Sequence, residues 1–114
     1  MRVNDLHQFG INGYDKGNFV LILGSKWCKS CKLLSPILEK FKNENLINYK
    51  EIDISKNTKI TQELKIHAVP ALIFFKDGKL SNKDIAINDE LFLKKGILIG
   101  AFNEVILKEI IEQI

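Results

Sequence analysis

Apolar residues occur along this chain in two ways, as short unbroken runs and as stripes at helical spacing. Phe19-Val20-Leu21-Ile22-Leu23 is a run that follows the turn signal Gly17-Asn18. An unbroken run of that length predicts a strand buried on both faces, as parallel pairing requires. Ala71-Leu72-Ile73-Phe74-Phe75 is a second run, opened by Val69-Pro70 and closed by the turn residues Lys76-Asp77-Gly78-Lys79. Ile97-Leu98-Ile99, ending at Gly100, is a third. Between the first two, Leu33, Leu34, Ile37, Leu38 and Phe41 form an apolar stripe and predict a helix from Cys28 to about Lys42. Pro36 lies inside that helix, removes one amide donor and should bend it. Ile106, Leu107, Ile110, Ile111 and Ile114 mark the buried face of a final helix that Asn103 can cap.

The stretches between are less regular. Asn48 to Ile54 reads as a strand with Ile52 and Ile54 on one face. Strand, helix and strand in that order favour a right-handed parallel crossover. Asn57 to Leu64 reads as a short helix, with Ile60 and Leu64 one turn apart. From Leu80 to Lys95 two readings stand. Ile85, Ile87, Leu91 and Leu93 alternate around Asn88-Asp89-Glu90 and suit a hairpin, while Asp89 to Lys95 also suits a short helix. For the first sixteen residues Gly10, Gly13 and the following Gly17 argue against a long helix. No internal repeat or low-complexity tract is present.

The 114 residues are enough for one compact domain, 1–114, and too few for two. Apolar residues make up 46% and charged residues 27%, so a core of fair size can form without disulfide staples. The formal charge is +3, with lysines and acidic residues interspersed, and this pattern gives no nucleic-acid footprint. No segment approaches a membrane span. Met1-Arg2-Val3-Asn4-Asp5 lacks the apolar core of a secretory signal, which sets the expectation of a cytoplasmic protein. In a reducing compartment two cysteines are poor candidates for a structural bridge and better ones for reactive or metal-binding roles.

Both cysteines of the chain fall within Trp27-Cys28-Lys29-Ser30-Cys31-Lys32, directly after the first apolar run and at the head of the helical stripe. A disulfide needs α-carbons roughly 4.4–6.8 Å apart. Residues three apart on a helix lie on one face, so Cys28 and Cys31 can bridge without unfolding it. At the first turn, Cys28 meets the positive end of the helix dipole and unpaired amides, and Lys29 and Lys32 add positive charge. Both favour thiolate over thiol, which makes Cys28 the expected nucleophile and Cys31 the less exposed thiol that resolves the mixed disulfide. Two other readings of the pair remain. It could be half of a zinc site with His7 and His67, although those histidines are sixty positions apart and no second cysteine pair exists. It could also be two buried structural thiols, which the flanking lysines disfavour.

With these residues the chain resembles the thioredoxin family. The matching features are Trp27-Cys28-Lys29-Ser30-Cys31-Lys32 after a buried strand, Pro36, Val69-Pro70 before a strand ending Phe74-Phe75-Lys76-Asp77-Gly78, and Gly100 before the last helix. The resemblance spans about Phe19 to Lys79 and Gly96 to Ile114. It implies an α/β thioredoxin fold, a central mixed sheet flanked by helices, and a thiol–disulfide oxidoreductase that reduces protein disulfides. It implies that Pro70 is cis, and that the backbone of Val69 pairs with an extended segment of the substrate. Trp27 would line the same surface, or serve only as core or rim packing, and Lys29 would sit beside it. The implied partners are disulfide-containing proteins and a flavin-dependent thioredoxin reductase that returns electrons to a monomer. No cofactor or metal is implied for the chain itself.

Four features depart from the family's pattern. Lys29-Ser30 replaces the usual glycine and proline, and should stabilise the thiolate and make the protein less reducing than the common type. Ile22 stands where the family places a buried aspartate that moves a proton to or from the second cysteine. Gly24 replaces an aromatic residue and should open the floor of the site. Leu80 to Lys95 is longer than the usual connection and reads as a surface excursion. These departures keep a binding module on the Val69-Pro70 surface as an alternative. A glutathione-dependent relative would favour proline or tyrosine between the cysteines and threonine before Pro70, and neither is present. His67, three residues before Pro70, is a candidate proton donor or a plain solvated histidine.

Overall fold

The computed structural model describes residues 17–25, 29–55, 62, 66, 70–77, 79–81, 83–87, 89–100 and 103–114, and of Ser30, Cys31 and Lys79 the backbone alone. In chain order the elements are β1 (Asn18–Gly24), α1 (Lys29–Asn43), β2 (Asn48–Asp53), β3 (Ala71–Lys76), β4 (Lys79–Leu80), β5 (Ile85–Ile87), β6 (Glu90–Leu93), β7 (Ile97–Ile99) and α2 (Glu104–Gln113). The main sheet runs β2-β1-β3-β4, with β7 also on β3. β1 pairs β2 in parallel, Phe19 beside Asn48 through Gly24 beside Asp53. It pairs β3 antiparallel, Asn18 opposite Lys76 through Leu23 opposite Ala71. The sheet is therefore mixed, as expected.

The central place of β1 explains its unbroken apolar run, because it has a core on each face. Val20 and Ile22 join Leu34, Leu38 and Phe41 of α1, Leu72 and Phe74 of β3, and Leu107, Ile110 and Ile111 of α2. Phe19, Leu21 and Leu23 face the other way, with Ile52, Ala71, Ile73 and Phe75. On that second face Phe19 and Phe75 sit opposite each other in register, ring centroids 6.2 Å apart and edge-on. Such a pair adds about 0.5–1.5 kcal/mol beyond its buried area. Ile52 and Ile54 both pack there, as their alternation predicts.

Asn103 caps α2, its Oδ1 accepting the Ile106 amide at 3.0 Å. Leu107, Ile110, Ile111 and Ile114 are buried and Ile106 half-buried. The stripe of α1 differs from expectation at one position: Leu33 is 68% exposed. Leu34, Ile37, Leu38 and Phe41 already fill the face turned to the sheet. Leu33 precedes Leu34 by about 100° of helical rotation and falls off that face.

The Leu80–Lys95 stretch is a hairpin, and the alternative helix over Asp89–Lys95 is replaced by strand β6. Ile87 pairs Glu90 and Ile85 pairs Leu93, with a register shift between Ile85 and Ala86. That shift gives β6 one extra residue, so Leu93 turns inward while Leu91 is left 53% exposed. Reading the stretch as a surface excursion needs correcting, because Ile85 and Leu93 are buried in the α1–α2 core. A tight turn at Lys95-Gly96 then returns the chain to β7, with both residues at positive φ, 51° and 78°. Paired positive φ is the signature of the two-residue turn that matches strand twist. Gly96 has a second reason to be glycine: a Cβ there would lie 2.3 Å from the Ser81 carbonyl oxygen. The predicted helix over Asn57–Leu64 and the first sixteen residues lie outside the described residues, except that Gln62 is helical.

Candidate functional site

β1 ends at Gly24 and α1 begins at Lys29, so the cysteine motif runs from the connection after the central strand into the first turn of the helix. The first turn of α1 has no acidic side chain, and Lys40 and Lys42 stand in its last. Lys29 and Lys32 are both exposed. For helix stability alone this is the wrong sign at the N-terminus, where cations oppose the macrodipole by about 0.3–1 kcal/mol each. The consequence is a positively charged first turn in the helix that carries Cys31. Trp27 and Cys28 lie outside the described residues, and Cys31 is described by its backbone, within α1.

Pro70 is buried and leads directly into β3. Its carbonyl accepts the Gly100 amide at 2.8 Å, and Ala71 pairs Ile99. Gly100 has φ 113°, a conformation that favours glycine. The proline loop is thus tied to the end of β7, and Ile99 beside it is 45% exposed. Val69, its cis or trans bond to Pro70, and His67 lie outside the described residues. His7 does too, so the zinc alternative rests on residues that are not described. Among the described residues no group of three or more His, Cys, Asp or Glu is placed to hold a metal ion. Among them also, no helix is long and apolar enough to cross a membrane.

Beneath the helix tip is a cavity of about 360 Å3 lined by Ile22, Gly24, Ser25, Lys32, Ser35, Glu51, Ile52 and Asp53. Ile22 is 2% exposed, so this apolar side chain lies at the floor. Gly24, also on the lining, is buried. Across the parallel register Ile22 sits beside Glu51. The Ser35 hydroxyl of α1 donates to Glu51 Oε1. Asp53 is held differently, Oδ1 accepting from the Ser55 amide at 2.9 Å and hydroxyl at 2.7 Å. Further along the α1–β2 seam, the Tyr49 hydroxyl donates to Glu39 at 2.6 Å. That bond, with burial and the negative charges of Glu39 and Glu51, pushes the Tyr49 phenol up to about 12.

Sequence reading missed Ser35 and Glu51. Two weak signals were available: Ser35 follows Cys31 by four residues, and Glu51 alternates with the inward Ile52. What brings them together is the packing of α1 against β2, which no local pattern encodes.

A mixed sheet whose central strand leads through Cys-x-x-Cys into a helix, beside a proline-led strand, defines a thiol–disulfide oxidoreductase scaffold. The Thioredoxin family model matches residues 7–97. The chain is 32% identical over 72 residues to the thioredoxin of Mycoplasmoides gallisepticum, covering 62% of this chain and 72% of that one. It is 37% identical over 82 residues to the mitochondrial thioredoxin of Mus musculus, covering 67% and 48%. A single-site mutant of a thioredoxin from Halobacterium salinarum superposes with a TM-score of 0.68 at 22% identity, over 88% of this chain and 76% of that one. The chain belongs to the thioredoxin family and has its fold. Its relatives support a redox function of the thiol–disulfide class.

Proposed function

We propose that this protein reduces disulfides of other proteins through the Cys28/Cys31 dithiol. The observation that carries the reading is the helix tip. α1 starts one residue after Cys28 with Lys29 and Lys32 exposed and no carboxylate in its first turn. An amide-rich, cationic tip favours a thiolate. Cys28 thiolate attacks a substrate disulfide and forms a mixed disulfide, expelling one substrate thiolate. Cys31 then attacks the Cys28 sulfur, the Cys28–Cys31 disulfide forms and the second substrate thiolate leaves. Two electrons pass from the dithiol to the substrate. The loop of Pro70, with Val69 and Trp27, is the surface on which an extended substrate segment docks. A thioredoxin reductase is the proposed source of returning electrons. Lys29-Ser30 stabilises the thiolate of the reduced form, so the protein is less reducing than thioredoxins with glycine and proline there.

Reduction of a protein disulfide by dithiothreitol, followed with the unmodified protein, Cys28→Ser and Cys31→Ser, tests this. The expected result is turnover in the unmodified protein alone, with mixed disulfides trapped by Cys31→Ser. The buried Ile22 in place of a carboxylate favours one second reading, a binding module without turnover. Absence of turnover in the unmodified protein would support it and overturn the first.

A further inference from the structure

Resolution of a mixed disulfide requires Cys31 to lose a proton, and Ile22 has none to exchange. We propose that Glu51, reached through Ser35, holds that proton in this chain, so that the carboxylate serving the second cysteine comes from β2 rather than β1. This inference rests on the dithiol reading above.

Three observations converge on it. First, Glu51 is the β2 residue in register with Ile22, so it enters the cavity from the adjacent strand at the same level. Second, Ser35 Oγ already donates to Glu51 Oε1, and both side chains line the cavity under the helix tip. Third, Cys31 and Ser35 are four residues apart in α1, the spacing that stacks two positions on one helical face. A hydroxyl both accepts and donates, so it can pass a proton between a thiol and a carboxylate. Asp53, the other carboxylate on the lining, is engaged by Ser55.

The step balances. The Cys31 thiol gives its proton to Ser35 Oγ while Ser35 passes its own to Glu51, leaving Cys31 thiolate and a neutral Glu51 carboxyl. The thiolate attacks the Cys28 sulfur, the Cys28–substrate bond breaks, and the substrate leaves as thiolate. When the Cys28–Cys31 disulfide is reduced again, the same path returns the proton to Cys31. Other charged or titratable groups face Glu51. Lys32 on α1 and Asp53 on β2 share the cavity, and Tyr49, bound to Glu39 of α1, lies two residues back on β2. Among the described residues, β1 and the chain just beyond it contribute Ile22, Gly24 and Ser25. Glu51 is a positioning residue here, acting through Ser35.

The test uses the full chain with Cys28→Ser, in which Cys31 is the single thiol, and follows its alkylation against pH with and without Glu51→Gln. A carboxylate coupled to Cys31 opposes a second negative charge. Glu51→Gln should therefore lower the midpoint of Cys31 alkylation by about half a unit or more. With both cysteines present, Glu51→Gln should slow resolution of a preformed mixed disulfide roughly tenfold or more, and Glu51→Asp should recover part of it. Ser35→Ala, which removes the hydroxyl and leaves Glu51 in place, should reproduce the loss, and the double variant should lose no more. An unchanged Cys31 midpoint with an unchanged resolution rate overturns the proposal. The alkylation arm needs no turnover, so it judges Glu51 separately from the disulfide-reductase reading.

Discussion

At the scale of single residues, the chemistry-bearing positions and the structural ones were legible to different degrees. Cys28 and Cys31 stand out because their spacing is itself a chemical statement. Asn103 stands out because its amide precedes an apolar stripe, and the cap is observed at 3.0 Å. Gly96 does not stand out, since its necessity comes from Ser81, fifteen residues earlier, whose carbonyl oxygen leaves no room for a Cβ. Gly96→Ala combines that contact with a φ of 78°. The amide and carbonyl of Gly96 are both engaged, by Lys83 and Phe74, so the backbone has little freedom to retreat. Urea unfolding should show a loss of about 1–3 kcal/mol. A variant as stable as the parent would mean that the Lys95-Gly96 turn relaxes freely. Ser35 and Glu51 were hidden for a related reason: each is an ordinary polar residue on its own element, and only tertiary packing joins them.

At the scale of elements, periodicity did most of what was asked of it. The run Phe19–Leu23 became the central strand because nothing in it tolerates water on either face. The β1-α1-β2 order gave the parallel pairing expected of a crossover. Periodicity failed where a single extra residue resets it. In the β5–β6 hairpin the register shift places Leu93 in the core and Leu91 outside, though the two alternate as if equivalent. The hairpin is thereby part of the fold's stability. Leu93→Ala removes a side chain that is 0% exposed and should cost about 2–5 kcal/mol in denaturant unfolding. A cost below about 0.5 kcal/mol, the range of surface substitutions, would return the segment to the status of an excursion. Leu33 errs in the opposite sense: an apolar residue at the edge of a stripe is counted inward by pattern and left outward by packing.

For the molecule as a whole, elements far apart in sequence converge on the end of the sheet where the cysteine motif stands. β1 delivers the motif, α1 supplies the dipole and two exposed lysines, and β3 brings the buried Pro70, fastened through its carbonyl to Gly100 after β7. β2 brings Glu51 and Asp53 to the cavity beneath. Sequence alone conveyed the first three contributions, because each has a local signature of apolar run, charge or proline. The fourth depends on how two strands align. The central claim is that this convergence ionises the first sulfur of the pair. Its most direct measurement is the pH dependence of Cys28 alkylation in the reduced Cys31→Ser protein. The account predicts a midpoint well below the ordinary thiol value of about 8.5, within roughly 3.5–7.5. A midpoint at or above that ordinary value would contradict it.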